Sequence, residues 1–395
     1  MKLYNNHFSI EGTYDILNLR EELGNAISKP PATPRIGMRP HTAIKLLQVR
    51  DRTVRDLWER IKYMVKYDDV KIFMDSGAPS LYNSLVRNKE GGAHTYMGSY
   101  LKDRKHDDFS FLEMNEYKIY RRKYTMFIKE YLPNLEVYAV LDVINNAEAT
   151  WENQQYMESK GLKPIPVWHF GCEIKWLEMY LAKGYEYIAI GGLVPNPTSV
   201  IIPPLDDIWD YLLTYDNGIP RVKVHGFAVT APELVSRYPW YSVDSASWVK
   251  YGKYGIVLTP RTKGGKRVYN VSPHSVAVSD RSPFKEMQGK HISNYSPAER
   301  NFILNYYHEK GFRLGSCKYK LVGNGYDLQD NERFVSGRKG DKEREVEIEI
   351  EKGLATDYRV RDELNILYYL DLEKSQPDWP WAFKRHKMPK GFNLF

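Results

Sequence analysis

Val137-Tyr-Ala-Val-Leu-Asp142 decides the fold, together with its successors Pro166-Val-Trp-His169 and Tyr187-Ile-Ala-Ile-Gly191-Gly192. Each is a short apolar run that stops at a polar side chain or a glycine pair. Runs without polar alternation read as strands buried on both faces. The segments between them have helical length, near 146–160 and 173–183, the second ended by Gly184. Working outward, the same unit recurs. Strands are expected over 70–75, 221–228, 240–244 and 255–259. Helices are expected over 41–67, 112–131, 205–214 and 231–237, with a loop rich in proline (Pro195, Pro197, Pro203, Pro204) ahead of the helix at 205. Seven strands are clear, and an eighth is expected near 8–18 or 35–40.

Strands alternating with helices at this spacing give a parallel α/β fold. Its extent, about 250 residues, suits a (β/α)8 TIM-like barrel. A doubly wound open sheet is the alternative, but no G-x-G-x-x-G follows a strand here. The alternation ends at residue 261. Residues 262–295 are polar and punctuated by Gly, Ser and Pro, and residues 83–110 read as a long charged loop. Ser296-Pro-Ala-Glu299 has the form of a capping box, opening a helix over 298–310 that stops at Gly311. The expected organisation is a barrel over 1–261 and a C-terminal α+β extension over 262–395.

Composition narrows the function. No apolar run reaches the roughly 18 residues of a membrane span, and the N-terminus lacks the apolar core of a signal peptide, so a cytoplasmic protein is expected. Only Cys172 and Cys317 are present, which excludes a disulfide framework and a Cys-rich metal site. The net charge of +7 comes with 31 Tyr and 9 Trp, a balance that suits a partner offering phosphates and bases. A mildly basic protein with a Tyr-rich core shows the same numbers.

The strand ends carry the candidate chemistry. Asp244, in Ser242-Val-Asp244-Ser, is placed to attack an anomeric carbon as a nucleophile. Asp75, in Met74-Asp75-Ser76-Gly77, is a candidate general acid and base, with Ser76 and Gly77 shaping the turn. Asp142 can accept from the two adjacent N–H donors on the edge of a guanine-like base. Gly191 and Gly192 expose backbone amides to such a base, and His169, His225 and Gly226 stand at neighbouring strand ends. Arg261, Lys263, Lys266 and Arg267 form a basic stretch suited to phosphates, and Lys384, Arg385, Lys387 and Lys390 a second one. Each residue alone has a plainer reading. The aspartates can cap turns and helices, the glycine pair can be a tight turn, His169 can be a satisfied core histidine, and an arginine can be a surface charge.

In order, these residues resemble the tRNA-guanine transglycosylase superfamily, whose members are (β/α)8 barrels. The family pattern of Asp-Ser-Gly-Gly, a base-binding Asp, Gln-Gly, Gly-Gly-Leu, Met-Gly-Val-Gly-Thr-Pro and a nucleophilic Asp is met here by Asp75-Ser-Gly-Ala, Asp142, His169-Phe-Gly171, Gly191-Gly-Leu193, His225-Gly-Phe-Ala-Val-Thr-Ala-Pro232 and Asp244. The match runs over roughly 70–261. The Cys-x-Cys-x-x-Cys…His zinc cluster of the tRNA enzymes has no counterpart, so zinc is not expected and no other cofactor is implied. Pro79 and Ser80 stand where the family has its base-stacking aromatic and a Gln, leaving Tyr82, Phe227 or Trp168 to stack on the base.

The Ser-Val-Asp-Ser-x-x-Trp form and the missing zinc cluster look closer to the phage-type DNA-guanine transglycosylases. That resemblance implies exchange of guanine in DNA for a free 7-deazaguanine base such as 7-cyano-7-deazaguanine. The partners would be DNA and the free base, the setting a host cytoplasm, and the benefit protection of phage DNA from restriction. The alternatives are a zinc-free enzyme acting on tRNA, an N-glycoside hydrolase and a non-catalytic nucleic-acid-binding barrel.

Overall fold

The computed structural model describes residues 2–8, 35–38, 72–78, 81, 85, 109–194, 196–286, 290–336 and 341–385. The chain divides into two compact units, one holding the strands up to Ala246 and the residues from Leu372 on, the other holding Ser247–Asp371.

The first unit is a parallel α/β assembly. Its strands are β1 (Lys2–Phe8), β2 (Arg35–Met38), β3 (Ile72–Met74), β4 (Val137–Tyr138), β5 (Val167–His169), β6 (Tyr187–Gly191), β7 (Lys223–Gly226) and β8 (Ser242–Ser245). They form one sheet in the order β4-β3-β2-β1-β8-β7-β6-β5, and every neighbouring pair is parallel. Helices α1 (Asn115–Tyr131), α2 (Ala147–Ser159), α3 (Ile174–Ala182), α4 (Thr198–Ile208) and α5 (Pro232–Arg237) lie between strands along the chain. Ala139, Val140, Leu141, Ile188, Ile190, Val224 and Val243 have no exposed surface, as the uninterrupted apolar runs require.

The sheet is strongly curved. Phe73 on β3 stacks on His225 on β7 with ring centroids 4.3 Å apart. Three strands lie between β3 and β7 in the order. In a flat sheet the two would stand about 19 Å apart, at ~4.8 Å per strand. The two end strands are also bridged. The N–H of Val140 donates to the carbonyl of Ile165 (3.1 Å) and that of Ile165 to Tyr138 (2.9 Å), around a parallel bridge between Ala139 and Ile165.

Two expectations are corrected. The run 255–259 is not the last parallel strand: β9 (Ile256–Thr259) pairs antiparallel with β12 (His274–Ala277) in the second unit. The compact unit that holds the parallel strands runs to Ala246. The missing parallel strand is β1, whose Asn5-Asn6-His7 hides it from an apolar-run search. Helix α4 begins at Thr198, ahead of the expected 205, and contains Pro203 and Pro204. Both prolines face solvent, so the carbonyls deprived of an N–H partner can turn to water. The expected helix at 41–67 and nearly all of the loop at 83–110 lie outside the described residues.

The C-terminal aromatics close over the first unit. Phe383 stacks on Tyr238 (5.6 Å), its N–H donates to Gly218 (2.8 Å), and Trp379 Nε1 donates to Pro239 (3.0 Å). Arg385 pairs with Asp207 at 2.7 Å, so the protein's own carboxylates already engage this cation of the tail.

The second unit is α+β. It holds α6 (Ser247–Lys253), the hairpin β10 (Arg261–Lys263) and β11 (Lys266–Val268), α7 (Pro297–Glu309), and α8 (Tyr358–Lys374). A three-stranded antiparallel sheet runs in the order β13 (Ser316–Gly323), β15 (Glu343–Glu351), β14 (Glu332–Ser336). The capping box of Ser296 and Glu299 forms as expected, and Gly311 ends α7 with φ of 86°. Asn365 on α8 is fully buried and fully satisfied. It accepts from the N–H of Leu258 (2.8 Å) and donates to the carbonyls of Trp248 and Ile256 (3.1 Å each).

Candidate active site at the strand ends

Asp142 follows β4, and its backbone is held on both sides. Asn153 on α2 donates from Nδ2 to the carbonyl of Leu141 (2.7 Å), and the N–H of Val143 donates to Thr150 Oγ1 (2.9 Å). Asn153 and Thr150 share a buried face of α2, three residues apart. The carboxylate of Asp142 is shared by two neighbouring strand ends. Ser76 Oγ donates to Oδ1, and His169 Nε2 lies 2.9 Å from Oδ2. Its side chain is 11% exposed and that of His169 is 3% exposed. Asp142 is therefore oriented by side chains yet still reachable, with lone pairs left to accept further donors.

Gly191 explains how the histidine fits. A Cβ at this position would stand 2.9 Å from His169 Cδ2, so the imidazole lies directly against the β6 backbone. Gly192 follows with φ of 72°, a left-handed conformation that opens the turn. The N–H of Phe170 donates to the Gly191 carbonyl at 2.9 Å. The glycine pair thus serves the turn and the imidazole together.

Asp75 stands at the end of β3 and accepts from the N–H of Gly77 at 3.4 Å, the Asx-type turn its sequence suggests. The Ser76 carbonyl accepts from Tyr120 (2.8 Å) and the Ala139 carbonyl from Tyr124 (2.8 Å), so α1 pins the β3 and β4 ends. Burial, reinforced by the charges of Asp75 and Asp142, keeps both phenols protonated as donors.

Asp244 is built differently. It lies on β8 with 1% exposure and accepts through Oδ1 from the N–H of Ala228. Ala228 has φ of 59°, a left-handed position rare for a residue with a side chain, which aims its amide at the carboxylate. His225 Nε2 lies 3.7 Å from the same oxygen, and its Nδ1 lies 2.6 Å from Ser242 Oγ. Full burial lowers the His225 pKa to about 3, so its imidazole is neutral at pH 7.

Most of the expected site residues come together at these strand ends, but His225 and Gly226 do not face a base. His225 has no exposed surface and is packed by Phe73 and, edge-on, by Phe227. A Cβ on Gly226 would meet Val229 at 2.8 Å and Trp240 at 3.1 Å, so this glycine serves packing. Trp168 is 3% exposed and donates to the Glu173 carbonyl, leaving half-buried Phe227 the more accessible of the two described aromatics. Pro79, Ser80 and Tyr82 lie outside the described residues. Sequence reasoning missed Asn153, Thr150, Tyr120, Ala228 and Ser242. Ser242 was within reach, since it precedes Asp244 by two residues and so shares its strand face.

A cleft of about 590 Å³ opens among the loops beyond these strand ends, and Asp75, Asp142, His169 and Asp244 are not part of its lining. Its lining includes Asn145, Phe170, Trp176, Gly192 and Asn196, all from segments that follow β4, β5 and β6. Amides and aromatic faces suit a flat heterocycle.

The basic stretch at 261–267 is the β10–β11 hairpin of the second unit, turned by Gly264 and Gly265 at positive φ. Arg261 donates to the Ser272 carbonyl (2.8 Å) and Arg267 is held by Glu309. Lys263 and Lys266 sit opposite each other at the exposed tip. Among the described residues no cluster of three or more His, Cys, Asp or Glu is placed to hold a metal ion, and no helix is long and apolar enough to cross a membrane.

No family model matches the chain, and no curated protein matches it. A solved chain from Aquifex aeolicus VF5, described as a "Structural study of Project ID", aligns over 63% of this chain and 84% of its own length, with 12% identity and a TM-score of 0.34.

Proposed function

We propose that the protein is a DNA-guanine transglycosylase that replaces guanine in DNA with a free 7-deazaguanine base. The carrying observation is Asp142 held between Ser76 and His169, whose imidazole lies against Gly191, at strand ends that also present a second, buried carboxylate, Asp244. We also propose that the eight strands close into a (β/α)8 barrel. The Phe73–His225 stack and the bridge between Ala139 and Ile165 support closure.

The target guanine is flipped from its stack toward Asp142, which accepts from the two adjacent N–H groups of the base edge. Asp244 attacks C1′ as the glycosidic C–N bond breaks, and Asp75 donates a proton to the departing guanine. The glycosyl ester holds the sugar while the deaza base takes the vacated place. Asp75 removes that base's proton, and the ring nitrogen displaces the Asp244 oxygen. Two inversions give net retention.

The neutral state of His225 fits this role. A protonated imidazole would hold Asp244 in an ion pair and blunt its nucleophilicity, whereas a neutral one supports it sterically. Because Asp244 is buried, access to it requires movement at the β7 end, where Phe227 packs. The exchange requires no cofactor, and basic segments such as the hairpin with Lys263 and Lys266 offer charges for DNA phosphates.

The test is a base-exchange assay. The protein is incubated with 7-cyano-7-deazaguanine and either DNA or tRNA, and the digested nucleosides are identified by mass spectrometry. Deazaguanine appearing in DNA, and absent with Asp244→Ala, is the expected result. Incorporation into tRNA alone would redirect the reading to a tRNA enzyme. Guanine release without incorporation would make it a hydrolase, and no reaction on either polymer would leave a binding protein.

A further inference from the structure

We propose that the second unit carries a phosphate-binding site, in a cleft of about 250 Å³ between the turn at Lys253 to Gly255, the turn at Ser279 to Ser282, and Arg361. This inference is independent of the base-exchange reading.

Four cations line the cleft, Lys253, Arg281, Arg333 and Arg361, and no carboxylate lines it. Arg361 is 5% exposed and donates to the carbonyls of Gly252 (2.7 Å) and Leu354 (2.6 Å). Carbonyls orient a guanidinium without neutralising it. Burial lowers the Arg361 pKa to about 10 against the opposing pull of nearby Asp362, Asp357 and Glu347, so the side chain remains charged at pH 7. Lys253 is exposed, and the carboxyl whose charge it favours is that of buried Asp362. Arg281 and Arg333 are each partly balanced by a β15 carboxylate, Glu345 at 3.3 Å and Glu347 at 2.7 Å. Asp362 does not balance the rest, because burial raises its pKa to about 8 and keeps it mostly protonated at pH 7. Positive charge is therefore in excess here, and an anion relieves the repulsion.

Neutral donors complete the cradle. Ser279 Oγ accepts from the N–H of Arg281 and Ser282 Oγ from the N–H of Phe284 (3.3 Å each), so each hydroxyl keeps its proton to give. A Cβ on Gly255 would meet the Ser279 Cβ at 2.8 Å and the Ser282 Cβ at 3.1 Å, so glycine lets both serines close on the turn. Hydroxyls, an ammonium and a guanidinium converging from separate segments match a tetrahedral oxyanion with several acceptor oxygens.

The phosphate can belong to a free phosphate or phosphomonoester, or to a polynucleotide backbone. The experiment uses the full chain, Lys253→Gln, Ser282→Ala, and Lys318→Gln as a charge-matched control on an exposed residue of the same unit. Circular dichroism and melting curves establish that each variant is folded. Inorganic phosphate binding is followed by thermal shift, and a fluorescent oligodeoxynucleotide by anisotropy. Phosphate should stabilise the parent chain and the control, and its affinity should fall on the order of tenfold in Lys253→Gln. A parallel fall in oligonucleotide affinity, with competition by phosphate, assigns the site to the backbone. A fall for phosphate alone assigns it to a free phosphate or monoester. No phosphate-dependent shift in the parent chain, or equal losses in Lys253→Gln and Lys318→Gln, would overturn the proposal.

Discussion

Asp142 and Asp244 stand at the ends of strands in one parallel sheet, yet they are held by opposite means. Asp142 is held by side chains from the two neighbouring strand ends and keeps some exposure. Asp244 is sealed, fixed by a backbone amide in a left-handed turn and backed by a neutral histidine. Side-chain hydrogen bonds can be exchanged for those of a ligand at little net cost. A buried carboxylate set against a fixed backbone amide is held in one orientation by its surroundings. The first arrangement suits recognition, and the second suits reaction.

The sharpest way to break this comparison is Asp244→Ala. Loss of a nucleophile should lower the exchange rate by on the order of 10⁴-fold or more, with base affinity little changed. A variant that keeps exchanging bases would remove the reactive role from Asp244. Next comes Asp142→Asn, which replaces one acceptor oxygen with a donor facing Ser76 or His169. The free base should bind roughly 10- to 100-fold more weakly, as for a lost charge-assisted hydrogen bond, with the single-turnover rate on bound DNA less affected. An effect confined to the rate would reverse the two roles.

Gly191→Ala tests whether the imidazole must lie on the β6 backbone. The new methyl meets His169 Cδ2 at 2.9 Å, so the ring must shift. Overpacking here should cost about 1–3 kcal/mol of stability, read by denaturant melts, and weaken base binding with it. Unchanged binding would mean that His169 does not orient Asp142 for recognition.

The smallest effect concerns pH. His225 has a depressed pKa in the folded chain, so between about pH 6.5 and pH 3 the unfolded state binds more protons at this site. Its contribution is complete above pH 6.5 and is lost as the pH falls toward 3. His225→Phe should flatten that part of the melting-temperature profile relative to the parent chain. Profiles of equal slope would show that the imidazole is not held neutral behind Asp244.

Much of the strand framework was legible in the chain. The runs ending at Asp142, His169, Gly191 and Asp244 are continuous in sequence, and burial on both faces imposes an apolar pattern that reads directly. The carboxylates at their ends were legible for the same reason, since a polar group closing an apolar run stands out. Strand β1 was not, because Asn5-Asn6-His7 breaks that pattern. Ile256–Thr259 was misplaced because an apolar run looks the same whether its partner is parallel or antiparallel. The settings of the two aspartates also escaped the sequence. Ser76 and His169 meet Asp142 from 66 and 27 residues away along the chain. The Ala228 amide is aimed by a backbone angle that no side-chain type encodes. Local periodicity is a property of neighbouring residues and survives in one dimension. Partnership between distant strand ends, and the burial that follows from it, arises only once the sheet has curved and brought those ends together.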